Sequence, residues 1–376
     1  MKTINVAVVG RGMMGRTHSA SIAALKYYFK DLPFEVKLHT LVTRDDKTAK
    51  ASADALGFEN YTTSYEAVLC NDEIDVVDIC TPNNLHFDMV KKAILAGKHI
   101  LCEKPLCINM QQTNEVMELC SNKDKCYGMV FNNRHIPAII RAKQIADEGK
   151  LGRIVTFRCS YRHSSACDPK RVAGWKQNKD ICGAGVLFDL GSHVIDLLSF
   201  VIGNDNENEI VKVNAVPQIA FPTRKGPDGN EWQTNAEEAV YITVTLKNGA
   251  VGTLEASKIC VGANDDFTLE IFGTEGSLKF DLMQPNFLEF YDNTISDSPL
   301  GGYKGYTRIE CVNRLCNVIP ESCLPGMRAP VGWMSGHINS MYNYFNYVYL
   351  GKKPCPSFED GAYVGKIMDM CLESMK

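Results

Sequence analysis

Three groups of residues in this 376-residue chain have types and spacings that could do chemistry. The first is Gly10-Arg11-Gly12-Met13-Met14-Gly15, which follows the apolar run Val6-Ala7-Val8-Val9 and opens a helical pattern. In a strand–turn–helix setting, G-x-G-x-x-G gives a tight turn, a close backbone approach and close helix–strand packing. Free amides at the positive end of a helix dipole then hold a pyrophosphate. The second group is Cys102-Glu103-Lys104-Pro105, at the end of another short apolar run. The carboxyl edge of a parallel sheet is where ligands bind, so Lys104 is placed to meet one. A neighbouring positive charge and burial both lower a lysine pKa toward the range useful for acid–base work. Lys104-Pro105 is also a candidate for a cis bond. The third group is Asp189 with His193, four residues apart and so on one face of a predicted helix. A histidine one turn from a carboxylate is a fair general acid or base.

These residues need particular elements to position them. The apolar periodicity predicts strands over 5–9, 36–42, 74–80, 99–102 and 126–131, with helices over 13–28, 48–56, 86–96 and 110–121. That alternation makes residues 1–131 a Rossmann domain with a doubly wound parallel sheet. The pattern changes after Asn132. Helices are expected over 137–147 and 189–201, and strands over 154–162, 210–219, 238–246, 252–258, 268–272 and 277–281. Short turns such as Lys247-Asn248-Gly249 separate them, so residues 132–376 read as an α+β domain with a large, mostly antiparallel sheet. Lys225–Asn230 is a polar hairpin tip or flap. Ile338, Met341, Phe345 and Val348 form a core-facing stripe on what reads as the last helix.

The end of the second strand selects the dinucleotide. Thr43 occupies the position of an acid that would bind a ribose 2′-hydroxyl, and Arg44, which follows, could accommodate a 2′-phosphate. Asp45 and Asp46 would repel that phosphate, and Asp45 could reach the hydroxyl. The balance favours NAD slightly and leaves NADP open.

Bulk properties exclude other classes. A net charge of −4 gives no electrostatic case for nucleic acid or an anionic membrane. No apolar run approaches the ~18–20 residues of a membrane span. Met1-Lys2-Thr3 leads straight into a strand without a signal-peptide pattern, so a cytoplasmic protein is expected. The 15 cysteines are scattered without C-x-x-C spacing, which points to reduced thiols and no metal site.

Taken together, the glycine loop, Glu103-Lys104-Pro105 and Asp189-x-x-x-His193 resemble the Gfo/Idh/MocA family of sugar and polyol oxidoreductases, over nearly the whole chain. Thr81-Pro82-Asn83 with His86, Ala96-Gly97-Lys98-His99, Asn132 with Arg134, Glu255-Ala256-Ser257-Lys258 and Phe358-Glu359-Asp360-Gly361 are similar to it too. Asp168-Pro169 followed by Trp175-Lys176 most resembles its levoglucosan-dehydrogenase-like and inositol-dehydrogenase-like branches. The usual pair there is Trp-Arg; Lys176 keeps the charge and loses the planar fork.

The resemblance implies oxidation of a secondary hydroxyl on a sugar, cyclitol or glycoside by Lys104, Asp189 and His193. His193 would take the hydroxyl proton, Asp189 would orient His193 or bind a neighbouring hydroxyl, and Lys104 would hydrogen-bond the reacting oxygen. Whether Lys104 or His193 is the base stays open. The implied cofactor contacts are Gly10, Gly12, Met13, Met14, Gly15, Thr43, Arg44, Thr81, Pro82, Asn83, His86, Glu103, Lys104, Asn132, Trp175 and Lys176. Arg134, His163, Trp175 and His337 join the catalytic set as substrate contacts, with Asn132 a further pocket candidate. Two other functions use the same residues or fold: glycoside cleavage through transient sugar oxidation by bound NAD, and a non-catalytic nucleotide or sugar sensor. A broad sheet with one uncovered face predicts a homodimer or homotetramer.

Overall fold

A computed structural model of the protein describes residues 1–120, 125–204, 206–312 and 329–376. The chain divides into two compact units, Met1–His135 with Cys316–Gly365, and Ile136–Leu315 with Lys366–Lys376.

The strands of the first unit are β1 (Lys2–Val9), β2 (Phe34–Val42), β3 (Asn60–Thr62), β4 (Val76–Ile79), β5 (His99–Cys102) and β6 (Tyr127–Met129). They form one parallel sheet in the order β3-β2-β1-β4-β5-β6, the doubly wound Rossmann order. Val6–Val9 pairs in register with Val76–Ile79, and all eight residues are buried, as strands covered on both faces require. The helices are α1 (Met13–Tyr28), α2 (Asp46–Leu56), α3 (Tyr65–Leu69), α4 (His86–Leu95) and α5 (Met110–Leu119). The Asp45 and Asn109 side chains cap α2 and α5, and left-handed Gly57 ends α2 at φ +81°. Sequence periodicity missed β3 and α3, which are too short to show a period.

In the second unit, α6 (Pro137–Asp147) precedes β7 (Ile154–Arg162), α7 (Lys179–Cys182) and α8 (Ser192–Ile202). The strands continue with β8 (Ile210–Gln218), β9 (Thr223–Lys225), β10 (Glu231–Gln233), β11 (Ala239–Leu246), β12 (Val251–Ser257), β13 (Asp266–Gly273), β14 (Gly276–Asp281), β15 (Phe287–Asp292) and β16 (Tyr306–Glu310). Eight of these strands form a sheet in the order β16-β15-β14-β13-β7-β12-β11-β8. Only β7–β12 pairs parallel. β15 and β16 extend the expected sheet. β9 and β10 flank the 225–230 loop as a separate hairpin, so the polar loop is a hairpin tip as read. Buried Arg224 anchors this hairpin, reaching Glu238 and the carbonyls of Ala166 and Asp168 at 2.6–2.7 Å.

α6 and α8 pack on one face of the large sheet, over Phe157, Cys159, Leu254, Leu269 and Leu278. The opposite face is largely uncovered among the described residues. Strand register there lines up Arg158, Glu270, Lys279, Glu289 and Arg308, a row of alternating charge across five strands.

Two expectations are corrected. Lys179–Ile202 is long and apolar enough by composition to cross a membrane, against the expectation that no run is; 83% of its window is buried, which marks a core segment. The stripe of Ile338, Met341, Phe345 and Val348 lies on α9 (Trp333–Leu350), and α10 (Phe358–Ser374) follows it. That stripe packs in one apolar cluster with Ile22, Leu25, Phe29 and Phe34. The described part of 316–365 groups with the first unit.

Candidate active site

The loop joining β1 to α1 is built by glycines. Gly10 has φ +111°, and a Cβ on it would lie 2.5 Å from the Cys80 carbonyl oxygen. A Cβ on Gly15 would lie 2.0 Å from the Gly10 oxygen. A Cβ on Gly12 would meet nothing within 4 Å, so this turn presents bare backbone to open space. No side chain caps α1 at Gly12. Uncapped amides beside an open glycine fit a dinucleotide pyrophosphate. Met13 is exposed and Met14 half-buried at this end.

At the end of β2, Thr43 is buried and Arg44 is exposed. Asp45 is committed locally. It accepts from the Thr48 hydroxyl at 2.6 Å and the Lys47 amide at 3.1 Å, and pairs with Arg11 at 3.4 Å. The Thr48 hydrogen bond leads in holding its carboxyl below the usual range. Asp45 thus serves as a helix cap.

Lys104 follows β5, is half-buried, and its peptide bond to Pro105 is cis. Beneath it lies a buried polar chain. His18 Nδ1 is 2.9 and 3.0 Å from the two Asp78 oxygens, and Nε2 is 3.1 Å from Glu103. The other Glu103 oxygen accepts the Lys104 amide at 3.2 Å. Burial alone would lower the His18 pKa, but the Asp78 carboxylate raises it well above its usual value. Burial alone would raise the Glu103 pKa; the His18 hydrogen bond and charge bring it down to about 2. His18, Asp78 and Cys80 lie close enough together to share a cation. Their 2.9–3.1 Å contacts through Nδ1 have the length of hydrogen bonds.

Several expected ligand contacts have protein partners here. Glu103 is a partner of His18. His86 is fully buried, with Nδ1 2.7 Å from the Pro105 carbonyl and Nε2 3.0 Å from that of Thr81, and so braces the Lys104 loop. Arg134, buried, pairs with Asp360 at 3.0 Å, and Asp360 also accepts the Ser357 amide at 2.7 Å. Asn132 and Asn83 are buried, and Thr81 and Pro82 half-buried. His337 is buried, 4.3 Å from the Trp333 ring and 6.4 Å from the His18 ring.

In the second unit, Asp189 lies on a π-helical turn, Leu187–Gly191, that leads into α8. A π turn shifts the helical face, so the i,i+4 geometry expected of Asp189 and His193 on a plain α-helix is altered; such turns favour functional sites. Both Asp189 oxygens meet ammonium groups. Lys176 Nζ lies 2.9 and 2.8 Å from them, and Lys258 Nζ lies 2.8 Å from Oδ2. Lys176, expected at the cofactor, is therefore an Asp189 partner. Half-exposed Trp175 stacks near its ammonium at 5.6 Å. The His193 ring meets the Tyr161 ring edge-on at 5.9 Å. Asp265 accepts from the Tyr161 hydroxyl at 2.6 Å and lies 2.9 Å from His163 Nε2.

Residues 4–131 match the oxidoreductase family with an NAD-binding Rossmann fold, and residues 139–279 match the GFO/IDH/MocA C-terminal domain. The chain belongs to the Gfo/Idh/MocA family. It is an NAD-binding oxidoreductase of that family. It is 31% identical to levoglucosan dehydrogenase of Pseudarthrobacter phenanthrenivorans, over 100% of this chain and 96% of that one. It is 27% identical to 1,5-anhydro-D-fructose reductase of Ensifer adhaerens, over 64% of this chain and 66% of that one. A levoglucosan dehydrogenase structure with NADH and levoglucosan superposes with a TM-score of 0.89 at 30% identity, covering 100% of this chain and 97% of the other.

Sequence reasoning on this Gfo/Idh/MocA member missed the roles of His18, Asp78, Tyr161, Lys258 and Asp265. Asp78 did leave a signal: a charge inside the apolar run Val76-Val77-Asp78-Ile79 needs a buried partner. Asp265 left none, because its partners come from another strand.

Proposed function

We propose that this protein oxidises a secondary hydroxyl of a cyclic sugar, cyclitol or glycoside, with NAD preferred over NADP. The observation that carries this reading is the Lys176–Asp189–Lys258 cluster on the π turn that leads to His193, in a chain similar along its length to a levoglucosan dehydrogenase. A carboxylate between two ammonium groups offers a sugar both acceptors and donors, the inventory a polyhydroxylated ligand needs. When bound, NAD⁺ supplies the hydride acceptor. Gly10, Gly12 and Gly15 with the first amides of α1 hold its pyrophosphate. Lys104 donates to the reacting oxygen and stabilises its alkoxide character. His193 takes the hydroxyl proton. Asp189 accepts from a neighbouring hydroxyl. The first unit is the cofactor-binding part, and the second carries substrate and subunit contacts.

The test is a screen for reduced nicotinamide across inositols, aldoses, anhydrosugars and glycosides with each cofactor. Turnover of a pyranose or anhydrosugar, with kcat/KM for NAD at least about 10-fold above NADP, is expected; the ~1.4 kcal/mol this represents is one lost hydrogen bond or one repelled phosphate. Aglycone release without net NADH identifies the glycoside-cleaving reaction instead. No turnover on any of them contradicts the proposal.

We also propose a cytoplasmic homo-oligomer, a dimer or tetramer, that pairs the uncovered sheet faces. The row Arg158, Glu270, Lys279, Glu289 and Arg308 alternates in sign and is suited to pairing with a second copy. Light scattering should give a multiple of 41.8 kDa. Arg158→Glu, which sets two carboxylates side by side, should shift it toward monomer. A monomeric wild type rules this out.

A further inference from the structure

We propose that Asp265 is a positioning residue for His193, acting through Tyr161, and that Asp189 is thereby left to the substrate. This rests on the dehydrogenase reading above for its catalytic consequences and on geometry alone for the placement.

Tyr161 and Phe267 pair in register across β7 and β13, and their rings stack at 4.4 Å and 10°. The Tyr161 ring is buried, and its hydroxyl donates to Asp265 Oδ1 at 2.6 Å. The same oxygen is 2.9 Å from His163 Nε2, and the His163 ring packs edge-on against Tyr161 at 5.0 Å. Tyr161 is therefore fixed by Phe267 on its face, His163 at its edge and Asp265 at its hydroxyl. The His193 imidazole rests against this fixed ring, edge-to-face, at 5.9 Å and 73°. Edge-to-face packing sets the plane of the imidazole and so the direction of its nitrogens.

The charges agree with the placement. Burial and the Asp265 charge push the Tyr161 phenol up, so it stays a donor. Burial works to raise the Asp265 carboxyl, but hydrogen bonds from His163 and Tyr161 outweigh it and hold it below its usual value. An ionised Asp265 near His193 favours the imidazolium that forms when His193 takes a proton. Asp189 is less suited to that task, because both its oxygens already meet the ammonium groups of Lys176 and Lys258. Its charge is compensated by those two lysines. The groups seen to bear on His193 include Tyr161 and Asp265 on the β7–β13 side, with Asp189 and its two lysines on the π turn that precedes it.

The experiment is a pair of NMR and kinetic titrations on wild type, Asp265→Asn, Asp265→Glu and Asp189→Asn. The His193 ring resonance, assigned with His193→Gln, should titrate about one pH unit lower in Asp265→Asn, be restored toward wild type in Asp265→Glu, and move less in Asp189→Asn. The acid limb of kcat should shift down by the same amount, with kcat falling about 10- to 100-fold and KM changing little. Asp189→Asn should instead raise KM. NADH affinity and circular dichroism check that each variant is folded. A His193 titration that is unmoved by Asp265→Asn, or that follows Asp189→Asn instead, overturns the proposal. This holds whether or not a sugar substrate has been found, because the resonance is read without turnover. A wild type inactive on every sugar contradicts the dehydrogenase reading while leaving the titration to decide the placement.

Discussion

Lys104→Met is expected to lower kcat by about 10³-fold while NADH affinity changes less than about 3-fold. Lys104 stands at the carboxyl end of β5, where an open parallel sheet binds its ligands. Its amide donates to Glu103, and His86 braces the Pro105 carbonyl that follows. That scaffold involves main-chain and neighbouring groups, and the loop keeps them when the side chain is replaced. On the proposed function the pyrophosphate is held by the amides of α1 and not by the Lys104 side chain, which is why cofactor affinity should hold. Met keeps the length of the side chain and removes the donor. Lys104→Arg should recover little, since a planar fork does not replace a compact ammonium. Steady-state kinetics with a fluorescence titration of NADH separate the two effects. A variant that keeps a tenth of wild-type kcat would remove Lys104 from the reacting oxygen.

The second large effect is on stability. Asp78→Ala should cost about 3–5 kcal/mol, because it removes one partner of a fully buried ion pair and leaves the other charge in place. His18 and Asp78 are both 0% exposed, so solvent does not screen the loss. The chain also ties three elements together: α1 through His18, β4 through Asp78 and the Lys104 loop through Glu103.

Its pH dependence follows from the two shifts. His18 has a folded pKa well above 6.5, so its contribution is fully present below that unfolded value and is lost as pH rises through the folded one. Glu103 is depressed from 4.5 to about 2, so its contribution is present above 4.5 and is lost as pH falls toward 2. Both operate together between 4.5 and 6.5. Urea denaturation at pH 6, 7.5 and 9 should show wild type weakening on the alkaline side and His18→Gln staying flatter there. Parallel curves for the two proteins would contradict the protonated state assigned to His18.

What the sequence revealed depended on distance along the chain. The glycine loop and β1 are contiguous, and an apolar run ending in G-x-G-x-x-G admits few other structures. β5, α6 and β7 matched their predicted bounds because each has one unbroken period. The α9 stripe was legible as core, yet its partners are Ile22, Leu25 and Phe29, some 300 residues earlier, and no local pattern names them. The π turn at Asp189 was hidden because a single inserted residue per turn leaves the apolar pattern nearly intact. Lys258 was marked only as part of a family-like stretch, with no role, and Asp265 was not singled out. Only the pairing of β7 with β12 and β13 brings their strand ends beside β7. Arg134 and Glu103 show a further limit: motif position marked them as ligand contacts, and the buried partners they also have, Asp360 and His18, left no local pattern to read.

The most direct test of the central claim is the fate of one hydrogen. A cyclic sugar that is turned over, deuterated at the carbon bearing the oxidised hydroxyl, is incubated with NAD⁺, and the cofactor is recovered for mass spectrometry. The account predicts one deuterium on the recovered reduced nicotinamide, together with a ketosugar and a slower reaction than with the protiated sugar. Reduced cofactor without deuterium, or deuterium lost to water or returned to a cleaved sugar, would contradict it.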